Sequence, residues 1–175
     1  MTADIGRSLD VYYRDAARTW RMDTLNAAFV TPGGLAFDIG AHVGDRTASF
    51  LRLGASVVAV EPQPRIFRAL RLIHGRSPRV VLCQAALGDL PGRMEMHINS
   101  RNPTVSTLSR DLVAKAPSDS AWKDQVWDRT ISVPVTTLDL LILRHGRPDF
   151  VKIDVEGHER AVLRGLNTPL PALSF

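Results

Sequence analysis

Between Leu35 and Pro62 the chain runs through an apolar strand (LAFDIGA, 35–41), a glycine-bearing turn and a short helix from Thr47 to Leu53 that Gly54 stops. A β-branched strand (SVVAVEP, 56–62) follows and closes on Glu-Pro. This order constrains the fold more than any other feature. Continuous apolar strands joined by a helix pair in parallel and need cover on both faces. The pattern continues, with residues 64–74 reading as a second helix and RVVLCQAAL (79–87) as a third strand. The expected architecture is α/β and Rossmann-like, a mostly parallel sheet with helices on both faces.

The 175 residues suffice for one domain with a sizeable core. Residues 3–30 read as helix, with Leu9, Tyr12, Tyr13, Ala16, Trp20 and Leu25 in a rough stripe, until Thr31-Pro32-Gly33-Gly34 breaks it. The expected division is an N-terminal helical segment over 1–31 and a main domain over 32–175. RMEMHIN (93–99) alternates like a half-exposed strand, and residues 100–129 read as a polar lid or a stretch holding a short helix. TISVPVTTLDLLILRHG supplies a strand and a helix, PDFVKIDVEG (148–157) a strand, and EGHERAVLRGL (156–166) a helix supported by Glu156 and Arg160 at i,i+4. The chain stops in PALSF, which reads as the start of another strand.

Chemistry concentrates at Asp38-Ile-Gly40-Ala41-His42-Val-Gly44, with Glu61 and Pro62 at the tip of the next strand. Glycines at a strand-to-helix turn let a nucleotide approach the backbone, and an acid on the second strand is placed to accept ribose hydroxyl protons. A dinucleotide fold wants G-x-G-x-x-G, whereas here His42 stands where the second glycine should be. Asp38 would repel a pyrophosphate and welcome an ammonium. The pattern therefore favours a nucleoside cofactor with a cationic tail, and S-adenosylmethionine fits. Lys152, in the middle of an apolar strand, needs a carboxylate partner, with Asp154 and Asp38 the candidates if the first and fourth strands are neighbours.

FDIGAHVGDRTASF, VVAVEPQP, QAALGD, TTLDLL and above all PDFVKIDVEGHERAVLRGL resemble the FkbM family of S-adenosylmethionine-dependent methyltransferases, from about residue 32 to the end. The resemblance implies a class I methyltransferase fold with a seven-stranded sheet, and usually O-methylation of a hydroxyl on a small molecule, sugar or natural product. It implies that Asp38, Gly40 and Gly44, with Ala41 and His42 in the same turn, line the methionine and ribose. Glu61 beside Pro62 would hold the ribose hydroxyls, Gln84, Ala85, Ala86 and Leu87 with Asp89 would border the adenine, and Asp154 and Glu156 would sit beside the methyl group. Against that pattern the chain ends where a fifth strand begins, so the last two strands are expected to be missing and a second copy could cover the open edge.

A hydroxyl nucleophile needs a proton acceptor. Asp154 and His158 are the expected catalytic residues, His158 being the more natural base near neutral pH, with His42 a further candidate. No His/Cys/Asp cluster has metal-ligand spacing, and no metal is expected. Trp122 and Trp127, with Ser106 and Thr107, read either as a lid or as plain packing.

The net charge of +4 and pI near 9.8 rest on 22 basic residues, 19 of them Arg. Arg65, Arg68, Arg71, Arg76 and Arg79 form either a phosphate- or nucleic-acid-binding patch or a solvated helix face. The lack of interleaved aromatics favours the latter and makes nucleic acid an unfavoured partner. A nucleic-acid methyltransferase, a catalytically silent cofactor-binding domain and an NAD-dependent oxidoreductase stay as alternatives. The single cysteine, Cys83, excludes an intrachain disulfide, and no apolar run approaches the roughly 18 residues of a membrane span. With no hydrophobic leader, the expected location is the cytoplasm.

Overall fold

In a computed structural model that describes residues 3–175, the main sheet has five parallel strands. They are β1 (Leu35–Ile39), β2 (Ser56–Val60), β3 (Val80–Cys83), β7 (Phe150–Ile153) and β8 (Leu173–Ser174), in the spatial order β3-β2-β1-β7-β8. The chain winds outward from β1 to β3, then returns to the other side of β1 with β7. Strands β1 and β7 are therefore neighbours across the point where the winding reverses, with Asp38 beside Lys152 in register. The expected mostly parallel Rossmann-like sheet is what the chain forms, and β8 is its fifth strand.

Alternation along the strands loads both faces. Phe37, Ile39, Val151 and Ile153 pack with Leu138 and Leu141 of α6 (Leu138–His145) and Val162 of α7 (Glu159–Arg164). The opposite face carries Ala36, Val57 and Phe150 against Phe50 of α3 (Asp45–Arg52) and Leu70 of α4 (Pro64–His74). Phe37 and Phe50 are fully buried, and each contributes roughly 1.5–3 kcal/mol of apolar burial. Helix α4 starts where Pro64 presets the first turn, and α6 starts where the Thr137 hydroxyl accepts from the Leu140 amide at 3.2 Å.

Four local expectations need correction. The N-terminal segment is two helices, α1 (Ala3–Tyr13) and α2 (Ala16–Asn26), because the Asp15 carboxylate accepts from the Arg18 amide at 2.9 Å and opens a new helix. Trp20 and Leu25 of the expected stripe are exposed, and residues 1 and 2 lie outside the described residues. The strand expected over 79–87 breaks at Gln84-Ala85, and its second half, β4 (Ala86–Leu87), joins a separate small sheet. There β4 lies parallel to β6 (Arg129–Thr136), whose other edge pairs antiparallel with β5 (Gly92–Ile98). The strand expected over 148–157 is only Phe150–Ile153. Finally, α7 begins at Glu159, because Glu156 and Gly157 take left-handed backbone conformations (φ 53° and 87°). Glu156 thus stands before the helix, outside the i,i+4 relation with Arg160.

Helix α2 packs on α3, and α1 lies beside α2 with Leu9 and Tyr12 against Val43 and against Ile66 and Ala69 of α4. Arg52 clamps Asp23 through two hydrogen bonds of 2.7 and 2.8 Å, Asn26 donates to Ser49 at 2.9 Å, and the Tyr13 hydroxyl donates to the Val43 carbonyl at 2.9 Å. The segment between β5 and β6 holds α5 (Arg110–Lys115) and two short 3-10 turns. Among the described residues no helix is long and apolar enough to cross a membrane.

Candidate active site

A cavity opens at the carboxyl ends of β1, β2 and β7, where the winding reverses and α/β sheets bind ligands. It encloses about 950 Å³ of empty space including its mouth. Gly40 and His42 line it from the β1 turn, Glu61 to Gln63 from the end of β2, and Lys152 and Asp154 to Glu156 from the end of β7. Ala85 to Leu87 add an apolar wall, Pro103, Thr104, Ser106 and Leu108 come from the segment after β5, and Tyr12 and Arg18 close it from the N-terminal helices.

Two buried carboxylates organise the floor. Glu61 accepts from the His42 amide at 3.1 Å and the Gln63 amide at 2.8 Å. Burial pushes its pKa up to about 7, against the pull of those two amides and of Lys152. Asp38 is wholly buried and accepts from the Thr47 hydroxyl at 2.7 Å. The expected partner of Lys152 is both candidates, its Nζ lying 3.3 Å from Asp38 Oδ1 and 3.7 Å from Asp154 Oδ2. Lys152 also donates to the carbonyls of Ile39 and Gly40, at 3.2 and 2.9 Å. Asp38 itself does not line the cavity; Lys152 and Asp154 do.

The turn glycines have a structural cause. Gly40 has φ 73°, and a Cβ there would lie 1.9 Å from the Asp154 carbonyl oxygen. Gly44 has φ 87°, and a Cβ would meet the His74 ring at 2.5 Å. Close approach of β7 and of α4 therefore demands bare Cα atoms at both positions. His42 is also left-handed (φ 50°), and its two ring nitrogens are buried without hydrogen-bond partners, with Tyr12 set edge-on at 6.1 Å. Burial lowers its pKa to about 4, so the ring is neutral near pH 7.

The methyltransferase FkbM domain model matches residues 38–172, a span that holds the β1 turn, Glu61 and the whole β7 segment. The chain belongs to the FkbM methyltransferase family. The hexuronic acid methyltransferase AglP of Haloferax volcanii is 25% identical over 142 residues, covering 79% of this chain and 52% of AglP. The chain thus spans about half the length of that relative. Among solved structures, PH1948 of Pyrococcus horikoshii, provisionally described as an RNA methyltransferase, aligns with a TM-score of 0.34 and 21% identity. That alignment covers 41% of this chain and 38% of PH1948.

In this FkbM domain the expected site residues divide. Gly40, His42, Glu61, Pro62, Ala85, Ala86, Leu87, Asp154 and Glu156 come together on the cavity wall. Ala41 is buried and packs under the sheet, and Gly44 packs against His74. Gln84 and Asp89 are exposed and outside the cavity. His158 lines a separate groove with its Nε2 buried and unpartnered, so the structure parts it from Asp154. Glu156 lines the cavity beside Asp154: burial, then the charges of Asp154 and Glu159, push its pKa up to about 7. Its carbonyl accepts from the Thr107 hydroxyl, 2.6 Å away.

Tyr12, Arg18 and Gln63 were not legible as site residues. Arg18 reaches the cavity because it pairs with Asp45 at 2.9 Å and lies over the Tyr12 ring at 4.6 Å, contacts that exist only once α2 packs on α3 with α1 beside it. Trp122 and Trp127 stack on each other at 6.3 Å, outside the cavity lining. Trp127 holds the roof by donating to the Val105 carbonyl at 2.9 Å.

Proposed function

We propose that this FkbM domain transfers a methyl group from S-adenosylmethionine to a hydroxyl of a small molecule, most simply a sugar. The observation that carries the reading is Glu61, a buried carboxylate pinned by two backbone amides at the tip of β2 and facing the cavity. Its fixed acceptors suit the two hydroxyls of a ribose. Ala85 to Leu87 offer an apolar wall for an adenine, and the Asp154 carboxylate suits an ammonium tail. A pyrophosphate fits poorly, because the Asp154 carbonyl and the His74 ring occupy the space that bare glycines leave and His42 fills the middle of the turn. When bound, S-adenosylmethionine supplies an electrophilic methyl on a positively charged sulfur.

The chain's own part is alignment, exclusion of water and removal of one proton. Glu156 is suited to take the hydroxyl proton, since a carboxylate near pKa 7 is a matched base at neutral pH. A sugar acceptor is supported by AglP, described as a hexuronic acid methyltransferase. The test is transfer of tritium from methyl-labelled S-adenosylmethionine to a set of free sugars, phenols and RNA. Label on a sugar or other small hydroxyl compound is the expected result; label confined to RNA would overturn it.

A further inference from the structure

A second groove adjoins the cavity. The two share Leu108, and of the turn Glu156-Gly157 the first residue lines the cavity and the second the groove. Four arginines from three elements face it: Arg93 on β5, Arg110 on α5, and Arg160 and Arg164 on α7. The acids among its lining residues are Glu95 and Asp111, and Arg110 already engages Glu95 at 3.0 Å. Arg93 is fixed by two hydrogen bonds to Ser132, both 3.0 Å. Among the described residues Arg160 and Arg164 pair with no carboxylate, although Arg164 donates to the Arg160 carbonyl at 3.3 Å.

We propose that this groove binds the anionic group of the methyl acceptor, a carboxylate or a phosphate, while the acceptor's hydroxyl reaches past Leu108 to Glu156. The inference rests on the cavity being the methyl-transfer site. Guanidinium forks match both oxyanions bidentately, and cations left without carboxylate partners keep their donors available. The methionine end of S-adenosylmethionine, which bears its only carboxylate, falls at Lys152 and Asp154 inside the cavity under the proposed reading, and neither residue lines the groove, which leaves these arginines to the acceptor. A polynucleotide is disfavoured because the groove offers its bases no Phe, Tyr or Trp to stack on. The ligand is therefore a compact acid, and the groove makes its charge the distinguishing feature against a neutral hydroxyl compound.

The test titrates the full chain, saturated with S-adenosylhomocysteine, with glucuronic acid, glucose 1-phosphate and glucose, observed by ligand NMR. Arg160→Gln/Arg164→Gln is run alongside; both side chains are exposed, so the fold is not at risk. At least one acidic sugar should bind about tenfold or more tighter than glucose, and the double variant should lose that preference with S-adenosylhomocysteine affinity unchanged. The acidic sugar that shows the preference in the wild-type chain identifies the group as carboxylate or phosphate. Equal binding of all three sugars, or a preference that survives in the double variant, would overturn the groove assignment alone. Failure of the wild-type chain to bind S-adenosylhomocysteine would sink the cavity reading and this inference with it. Generic RNA held at moderate salt through Arg160 and Arg164 would assign the groove to nucleic acid and overturn it as well.

Discussion

The Lys152 ammonium lies 3.3 Å from Asp38 Oδ1, and the two residues face each other in register on adjacent parallel strands. Asp38 is wholly buried, and Lys152 ties β7 to the end of β1 through the Ile39 and Gly40 carbonyls as well. Removing the cation strands a buried carboxylate beside two carbonyl oxygens. Lys152→Met should therefore cost about 3–5 kcal/mol in urea unfolding, and Asp38→Asn in the Lys152→Met background should restore part of it. A loss below about 1 kcal/mol would show that the pair is not holding the strands together.

Gly40→Ala tests the close approach at the same junction. A methyl group would meet the Asp154 carbonyl oxygen at 1.9 Å in a left-handed backbone, and neither atom belongs to a flexible side chain. The expected outcome is a drop of several degrees or more in melting temperature, or failure to fold, against a small change for Gly6→Ala, where nothing lies within 4 Å.

Glu156 and His158 separate two accounts of proton removal. Glu156→Gln should lower methyl transfer by on the order of 10²-fold or more while leaving S-adenosylhomocysteine binding within a few-fold. His158→Gln should leave the turnover number within a few-fold and change mainly the acceptor KM, because the imidazole lies in the adjoining groove. The reverse pattern would make His158 the base.

The central elements were legible because their signals are local. SVVAVEP reads as a strand from β-branching alone, Pro64 marks the start of α4, and the mid-strand lysine announced a buried carboxylate. What stayed hidden depends on contacts between distant residues. Nothing near Gln84 signals that the chain leaves one sheet for another, a change made by pairing Ala86 with Val135. Glu156 looks like the first residue of a helix until its left-handed backbone, stabilised by Thr107 on another segment, places it on the cavity wall. Tyr12 and Arg18 reach the site only through the packing of two helices that the sequence shows as one.

The pH dependence of Glu61 has a definite sign. Its folded pKa, about 7, stands above the ordinary 4.5, so its protonated form is favoured by folding. That contribution is fully present below about pH 4.5 and is lost as the pH rises through 7. Glu61→Gln has no charge to bury, and its stability relative to the wild type should rise between pH 5 and pH 8 by up to about 3 kcal/mol, read as a difference in thermal or urea unfolding. His42, which titrates in the opposite sense, is present in both proteins and cancels. A difference independent of pH would show that the carboxylate is ionised at little cost.

The most direct test of the account is calorimetric titration of the wild-type chain and Glu61→Gln with S-adenosylhomocysteine at pH 8, with NAD as the control. The account predicts micromolar binding to the wild type, at least about tenfold weaker binding to the variant through loss of charge-assisted hydrogen bonds, and no heat from NAD. A folded wild-type chain that ignores S-adenosylhomocysteine, or a variant that binds it equally well, would contradict the assignment of this cavity.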